Sequence, residues 1–252
     1  MTSLAGRTAL ITGVSGGIGS AIADVFEREG AALIGTYRHR RAEAERAVPA
    51  PATGRARLIQ ADLTDAGAAR DLWRKACAAA SVDTLVVNAA ALLHTPLDED
   101  DDAWDEGWQQ SLRVNVVAST TLMRAAAATF AERGSGSIIA VSSWNAEQGS
   151  RIADLGAYAA SKAALRNFAQ TLARATARSG VRVYTLAPGP VGTGMGTVDL
   201  DDDAIRTVAE GLTMGRHVDA REIAELAAFL ASDRCPSLTG ATLDLNGASY
   251  IR

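Results

Sequence analysis

Tyr158 and Lys162 stand four residues apart in Tyr158-Ala-Ala-Ser-Lys162, a spacing that puts two side chains on one face of a helix. A free phenol titrates near pH ~10 and does little acid–base work at neutrality, whereas an adjacent ammonium favours the phenolate and lowers that value. The pair is a candidate proton donor with its own charge source. Composition sharpens the reading: of 25 Lys and Arg residues only Lys75 and Lys162 are lysine. Arginine would keep the charge but lose the compact ammonium that can both bind hydroxyls and pass a proton.

A second constellation lies near the N-terminus. The run Thr12-Gly-Val-Ser-Gly-Gly-Ile-Gly19 ends an apolar strand-like segment and opens a helix-period one, with Ile18, Ile22, Val25 and Phe26 on one stripe. Gly13, Gly17 and Gly19, with Ser15 and Ile18 in the same turn, suit a tight bend in which the backbone approaches a pyrophosphate and a helix N-terminus points free N–H groups at it. A dinucleotide site often carries an acid at the end of the next strand for a ribose 2′-hydroxyl. Here that stretch reads Gly35-Thr-Tyr-Arg-His-Arg-Arg41: the acid is absent, Tyr37 takes its place and Arg38 follows. A carboxylate would repel a 2′-phosphate and a guanidinium can bind it bidentately, so the expected cofactor is NADP(H).

Seven short apolar runs alternate with helix-period segments: Thr8–Thr12, Ala32–Thr36, Arg57–Ala61, Thr84–Val87, Ser137–Ser142, Val181–Leu186 and Thr242–Leu245. Such alternation predicts a parallel sheet covered on both faces, a doubly wound α/β fold. Long Ala-rich helices are expected over about 108–132 and 155–179, and Asp219-Ala-Arg-Glu222 reads as a capping box. No linker or repeat divides the chain, so residues 1–252 read as a single dinucleotide-binding catalytic domain. The Gly-rich segment 189–215 is a candidate substrate lid. The acidic runs Asp98–Glu106 and Asp199–Asp203 read as solvated helix N-termini.

Composition excludes several classes. The net charge is −4, with arginines scattered rather than striped, which disfavours nucleic acid. Cys77 and Cys235 are isolated and read as reduced and buried, with no disulfide framework or zinc site. His39, His94 and His217 are too dispersed for a metal site. The N-terminus has no leader pattern and no run is long enough to span a bilayer, so a soluble, cytoplasmic protein is expected.

Taken in order, Thr12-Gly-x-x-x-Gly-x-Gly19, Asp62-Leu63, Asn88-Ala89, Asn115 in Val114-Asn-Val116, Ser142-Ser143, Tyr158-x-x-x-Lys162 and Pro188-Gly-Pro-Val-Gly-Thr193 resemble the short-chain dehydrogenase/reductase family. The closest likeness is to its single-domain branch containing 3-oxoacyl-thioester reductases. The resemblance implies a sheet order of 3-2-1-4-5-6-7. It also implies that Tyr158 is the general acid and that Ser143 orients the substrate oxygen. Asn115 would hold a water linking Lys162 to solvent. Asp62 and Leu63 would sit by the adenine, and Asn88, Ala89 and Ala90 by the adenosine side. Pro188, Gly189, Val191 and Thr193 would flank the nicotinamide half, and a homotetramer or homodimer is implied. Trp144, beside Ser143, is a candidate wall of the substrate pocket.

Departures from the family pattern are specific. Ala90 replaces a usual glycine, Gly16 stands where many NADP-preferring relatives carry a basic residue, and Asn246-Gly-Ala248 replaces Asp-Gly-Gly. The stretch between Ser143 and Tyr158 is longer than is common. The reading is an NADPH-dependent reductase of a ketone or β-ketoacyl thioester, free or bound to carrier protein or CoA, with Arg133, Arg174 and Arg178 as candidate carrier contacts. The alternatives are a secondary-alcohol dehydrogenase and a non-catalytic nucleotide-sensing module.

Overall fold

In the computed structural model, which describes residues 4–48, 56–197 and 201–251, seven strands form one parallel sheet in the order β3-β2-β1-β4-β5-β6-β7. They are β1 (Thr8–Ile11), β2 (Ala32–Tyr37), β3 (Ala56–Gln60), β4 (Thr84–Val87), β5 (Gly136–Val141), β6 (Val181–Pro188) and β7 (Thr242–Leu245). Side chains alternate between the faces of each strand, and both faces are apolar. Ile11, Leu33, Val86 and Ile139 point to one core, while Leu10, Ile34, Leu85 and Ile138 point to the other.

The first core is closed by α1 (Gly17–Arg28) and α9 (Ala220–Ala231), through Ile22, Val25 and Phe26 of one and Ile223, Ala227 and Leu230 of the other. The second is closed by α3 (Ala66–Ala79), α5 (Ser119–Arg133) and α7 (Gly156–Thr176), through Leu72, Leu122, Phe130 and Leu165. Trp73 sits edge-on to Phe130 at 5.6 Å and donates Nε1–H to Thr129 at 3.1 Å. Sheet order reverses between β1 and β4, and at such a switch point the carboxyl ends of the strands leave a crevice for a ligand.

Local chemistry sets the helix ends. Asp219 accepts from Arg221 N–H at 2.8 Å and Glu222 reaches back to the Asp219 N–H, completing the expected capping box. Asp100 caps α4 (Asp101–Leu112) and Asp201 caps α8 (Asp202–Glu210), each with two further acids in its first turn. Both acidic runs therefore compensate helix dipoles, as read; Val198–Leu200, which include Asp199, lie outside the described residues. The two remaining helices, α2 (Arg41–Ala47) and α6 (Asn145–Gln148), are short.

Three expectations change. The helix expected over 108–132 is broken: a π-helical turn at Arg113–Ala118 separates α4 from α5, an insertion that apolar periodicity does not register. Cys77 and Cys235 are exposed rather than buried. Arg133 ion-pairs with Asp83 at 3.4 Å and donates to Ser81 at 2.9 Å, just before β4. Arg178 lies in the 3₁₀ turn Ala177–Ser179 that leads into β6, with Arg174 in the last turn of α7. All three therefore sit at the amino edge of the sheet, opposite the crevice, and cannot guide a carrier to it.

Candidate active site

The carboxyl end of β5 and the first half of α7 bring the chemically active residues together. Four residues along α7 separate Tyr158 from Lys162, so both face the end of β5. Lys162 is buried and its ammonium donates to the Val141 carbonyl at 2.9 Å, while Ser142 Oγ–H donates to the Lys162 carbonyl at 2.9 Å. The ammonium lies 5.6 Å from the centre of the Tyr158 ring. Ser143 hydrogen-bonds the Tyr158 hydroxyl, and its Oγ also accepts from the Asn145 N–H at 3.2 Å.

Electrostatics differ from the expected lowering of the phenol by its lysine. Although Tyr158 keeps part of its surface exposed, burial pushes it up to about 12, against which the Ser143 hydrogen bond pulls it back. Burial lowers Lys162 from 10.5 to about 8. At neutral pH the pair is a neutral phenol beside a mostly charged ammonium. That is the state of a proton donor with a more acidic group ready to refill it.

Asn115 sits in the π-helical turn, fully buried. Its Oδ1 accepts from the Ala91 N–H at 2.7 Å, and Nδ2 donates to the Ala91 carbonyl at 2.8 Å and to Ser161 Oγ at 2.9 Å. Each end of the amide has a protein partner, so the Asn115 side chain ties the loop after β4 to α7. Asn88 is similarly engaged: its amide donates to the carbonyls of Thr12 at 2.9 Å and Gly13 at 3.2 Å. Thr12, which opens the glycine motif but was assigned no role there, is the hub of this join. Its Oγ1 donates to Val86 and accepts from the N–H groups of both Asn88 and Ala89.

The turn from β1 into α1 has the shape of an anion cradle. Gly13 adopts φ +75°, and a Cβ on Gly19 would stand 2.2 Å from the Gly13 carbonyl oxygen, so only glycine fits. No side chain caps α1 and its first turn holds no acid; the Gly16 N–H closes the turn onto the Gly13 carbonyl at 3.3 Å, which leaves the N–H groups of Ser15, Gly17, Ile18 and Gly19 for a bound anion. Thr193 crosses directly above: its side chain would meet a Cβ on Gly17 at 2.5 Å. These features fit a dinucleotide pyrophosphate.

At the end of β2, Tyr37 is buried in the core. Arg41 is paired with Glu45 at 2.7 Å, whereas Arg38 and Arg40 have no carboxylate partner among the described residues. The Arg40 guanidinium lies 3.9 Å from the point where a Cβ on Gly16 would stand. Arg40 thus fills the space that the missing basic side chain at position 16 would have taken, a compensation visible only in three dimensions.

Asp62 accepts from the Thr64 N–H at 3.1 Å, and Leu63 is buried. Ala90 follows Ala89 in the loop that Thr12 and Asn115 hold. On the far side, the Trp144 N–H donates to Pro188 at 2.9 Å, and Gly189 donates to Leu245 at 2.9 Å while packing against buried Asn246. Asn246 closes the C-terminal turn by donating to the Tyr250 carbonyl at 3.0 Å, which gives this departure from the family pattern a bracing role beneath the Pro188–Thr193 loop. Val191 pairs with Val218. Trp144 is stacked by Arg151 at 5.7 Å, and His94 lies 3.8 Å from Asp154 on the surface. Among the described residues no group of three or more His, Cys, Asp or Glu could hold a metal, and no helix is long and apolar enough to cross a membrane.

Residues 13–247 match the family model described as enoyl-(acyl carrier protein) reductase. The chain is 34% identical over 249 residues to 2,5-dichloro-2,5-cyclohexadiene-1,4-diol dehydrogenase LinX of Sphingobium indicum, covering 97% of this chain and 96% of that one. It is 33% identical over 247 residues to the 3-oxoacyl-[acyl-carrier-protein] reductase FabG of Escherichia coli, covering 98% of each. Among solved structures, a 3-oxoacyl (acyl-carrier-protein) reductase from Agrobacterium tumefaciens with NADP bound superposes with a TM-score of 0.88 at 32% identity, covering 98% of this chain and 95% of that one.

Gly19→Ala tests the cradle. Forcing a methyl against the Gly13 carbonyl is expected to cost about 1–3 kcal/mol of stability and to weaken dinucleotide binding, read by thermal melting and by fluorescence titration.

Proposed function

The chain belongs to the short-chain dehydrogenase/reductase family and is an NADP(H)-dependent oxidoreductase of the CH–OH/C=O couple; from that premise we propose that it works as a ketone reductase with Tyr158 as general acid. The observation that carries this reading is the half-buried phenol hydrogen-bonded to Ser143, its ring centre 5.6 Å from the buried Lys162 ammonium. NADPH, when bound, supplies hydride to the carbonyl carbon. The α1 N-terminus and the glycine turn would hold its pyrophosphate under Thr193, and Arg40 with Arg38 would take the 2′-phosphate.

The chain's own work is on the oxygen. Ser143 and Tyr158 hydrogen-bond the carbonyl oxygen, orienting it and stabilising the negative charge that grows there. The Tyr158 hydroxyl then gives its proton to that oxygen, since an alkoxide is far more basic than a phenolate. The resulting phenolate is refilled from the Lys162 ammonium, a downhill transfer because Lys162 titrates at about 8 and Tyr158 at about 12. Asn115 keeps the loop after β4 in register with α7 during these steps. The same ladder runs uphill for alcohol oxidation near neutral pH, which favours reduction over the dehydrogenase reading. Retention of the complete Ser143, Tyr158 and Lys162 set argues against a non-catalytic sensor.

The substrate that fits best is a free ketone. Basic candidates for carrier docking lie at the wrong edge of the sheet, and the loop from β4 into α4, tied to the Ser143–Tyr158 segment by Thr95 N–H to Asp154 at 2.7 Å, presents Asp98 to Asp102 to an approaching carrier. An acidic carrier would be repelled there.

Three outcomes are expected. Against a panel of cyclic, aromatic and thioester-linked ketones, Tyr158→Phe should lose about 10²–10⁴-fold in NADPH oxidation while binding NADPH normally; full turnover in this variant would remove the assigned acid. For wild type, the reduction rate should be level below pH 8 and fall above it, because the ammonium that refills Tyr158 is lost as pH rises through the Lys162 value of about 8. Arg40→Gln should lower NADPH affinity about ten-fold or more, in line with the loss of a charge-assisted phosphate contact, and leave NADH affinity unchanged. Equal losses for both cofactors would place Arg40 away from the 2′-phosphate.

A further inference from the structure

The segment that carries Ser143 reaches α7 at a second place, remote from the reacting atoms. Four residues beyond Ser143, Glu147 of α6 forms an ion pair with Arg166 of α7. Arg166 lies one helical turn past Lys162 and two past Tyr158, on the same stripe of the helix. Arg166 is mostly withdrawn from water and Glu147 only in part, with side chains 19% and 31% exposed, so the attraction is screened less than at a fully open surface. The other charged residues of the intervening loop are disposed elsewhere: Arg151 stacks on Trp144 and Asp154 faces His94.

This placement answers a mechanical need. The stretch from Ser143 to Tyr158 spans fifteen positions, and a longer loop has more freedom to carry Ser143 out of reach of the phenol. Two anchors divide it. Thr95 holds its second half through N–H and Oγ1 bonds to the Asp154 carbonyl at 2.7 and 3.1 Å. Its first half is held to α7 by Glu147 and Arg166, and α6 passes that restraint to Ser143 through the Ala146 N–H bond to the Ser143 carbonyl at 3.1 Å and the Asn145 N–H bond to Ser143 Oγ.

We infer that the Glu147–Arg166 pair is a positioning device for the reaction, a strut that fixes Ser143 against Tyr158. Neither residue touches substrate or cofactor; both act through α6. The inference rests on the ketone-reductase reading, and its test separates the two. Amide hydrogen exchange over residues 142–149 and steady-state kinetics on a ketone from the panel would be measured for wild type, Glu147→Gln, Arg166→Gln and the charge-exchanged double variant Glu147→Arg with Arg166→Glu. The single variants are expected to exchange the Trp144 and Ala146 amides faster and to lower kcat about ten-fold, the scale of a sub-ångström misplacement. KM for NADPH should stay within about two-fold, and the double variant should recover most of both losses.

Wild-type exchange in both single variants would overturn the inference whatever the activity. Faster exchange with undiminished kcat would overturn it as well, reducing the pair to a stabilising contact. If wild type itself turned over no ketone, the reductase reading would fail, and exchange alone would decide whether the pair holds Ser143.

Discussion

The site depends on one buried charge. Taking an ammonium out of water is costly, and Lys162 is nearly inaccessible, with the Val141 carbonyl as its acceptor among the described residues. That cost appears as its lowered pKa, and it is tolerated because the surroundings are fixed from two sides. β5 supplies the carbonyl, and Ser142 returns a hydrogen bond to the backbone of α7. The strand that leads into Ser143 and the helix that carries Tyr158 are therefore locked together by the residue that supplies the charge. Burial also keeps the phenol protonated, so a single constraint sets geometry and proton inventory alike. Arginine, used almost everywhere else in this chain, could not replace it: it is always charged and never a proton donor at these pH values.

Around that lock the fold builds a second, opposite preference. At the switch point between β1 and β4 the structure offers unpaired backbone N–H groups and small residues, an environment that attracts anions instead of resisting a cation. Thr12 and Asn88 close the seam between the two strands, and Asn246 props the Pro188–Thr193 loop from below. The side chains at this edge mainly shape backbone, and the backbone does the binding. Proton chemistry at α7 and anion binding at α1 thus share one sheet edge without competing for the same groups.

Much of this was legible in the sequence because it is periodic or local. Strands β4 and β7 begin and end where alternating apolar runs do, and the capping box at Asp219 uses residues within one turn. The glycines of the β1–α1 turn are dictated by backbone geometry that any occupant must obey. What escaped was tertiary. A π-helical turn adds one residue, and the Ala-rich α5 carries too weak an apolar stripe for the resulting shift to show, so the break at Arg113 left no trace. The exposure of Cys77 and Cys235 depends on which helix face or loop meets solvent. The Nδ2 groups of Asn88 and Asn115 bond to segments far away in the chain, contacts that a motif read along the sequence does not show. Arg40 and Arg166 belong to chain segments distant from Gly16 and Glu147, and only folding brings each to its neighbour.

The central claim, that burial has made Lys162 an acid strong enough to refill Tyr158, can be measured directly because the chain holds only two lysines. Protein labelled with ¹³C at the lysine side chains would give two Cε resonances, assigned with Lys75→Arg and followed by NMR across the alkaline range. The resonance that remains in Lys75→Arg is expected to titrate at about 8. Titration of that resonance near 10.5 instead would mean that Lys162 is solvated, and the proton ladder through Tyr158 would not stand.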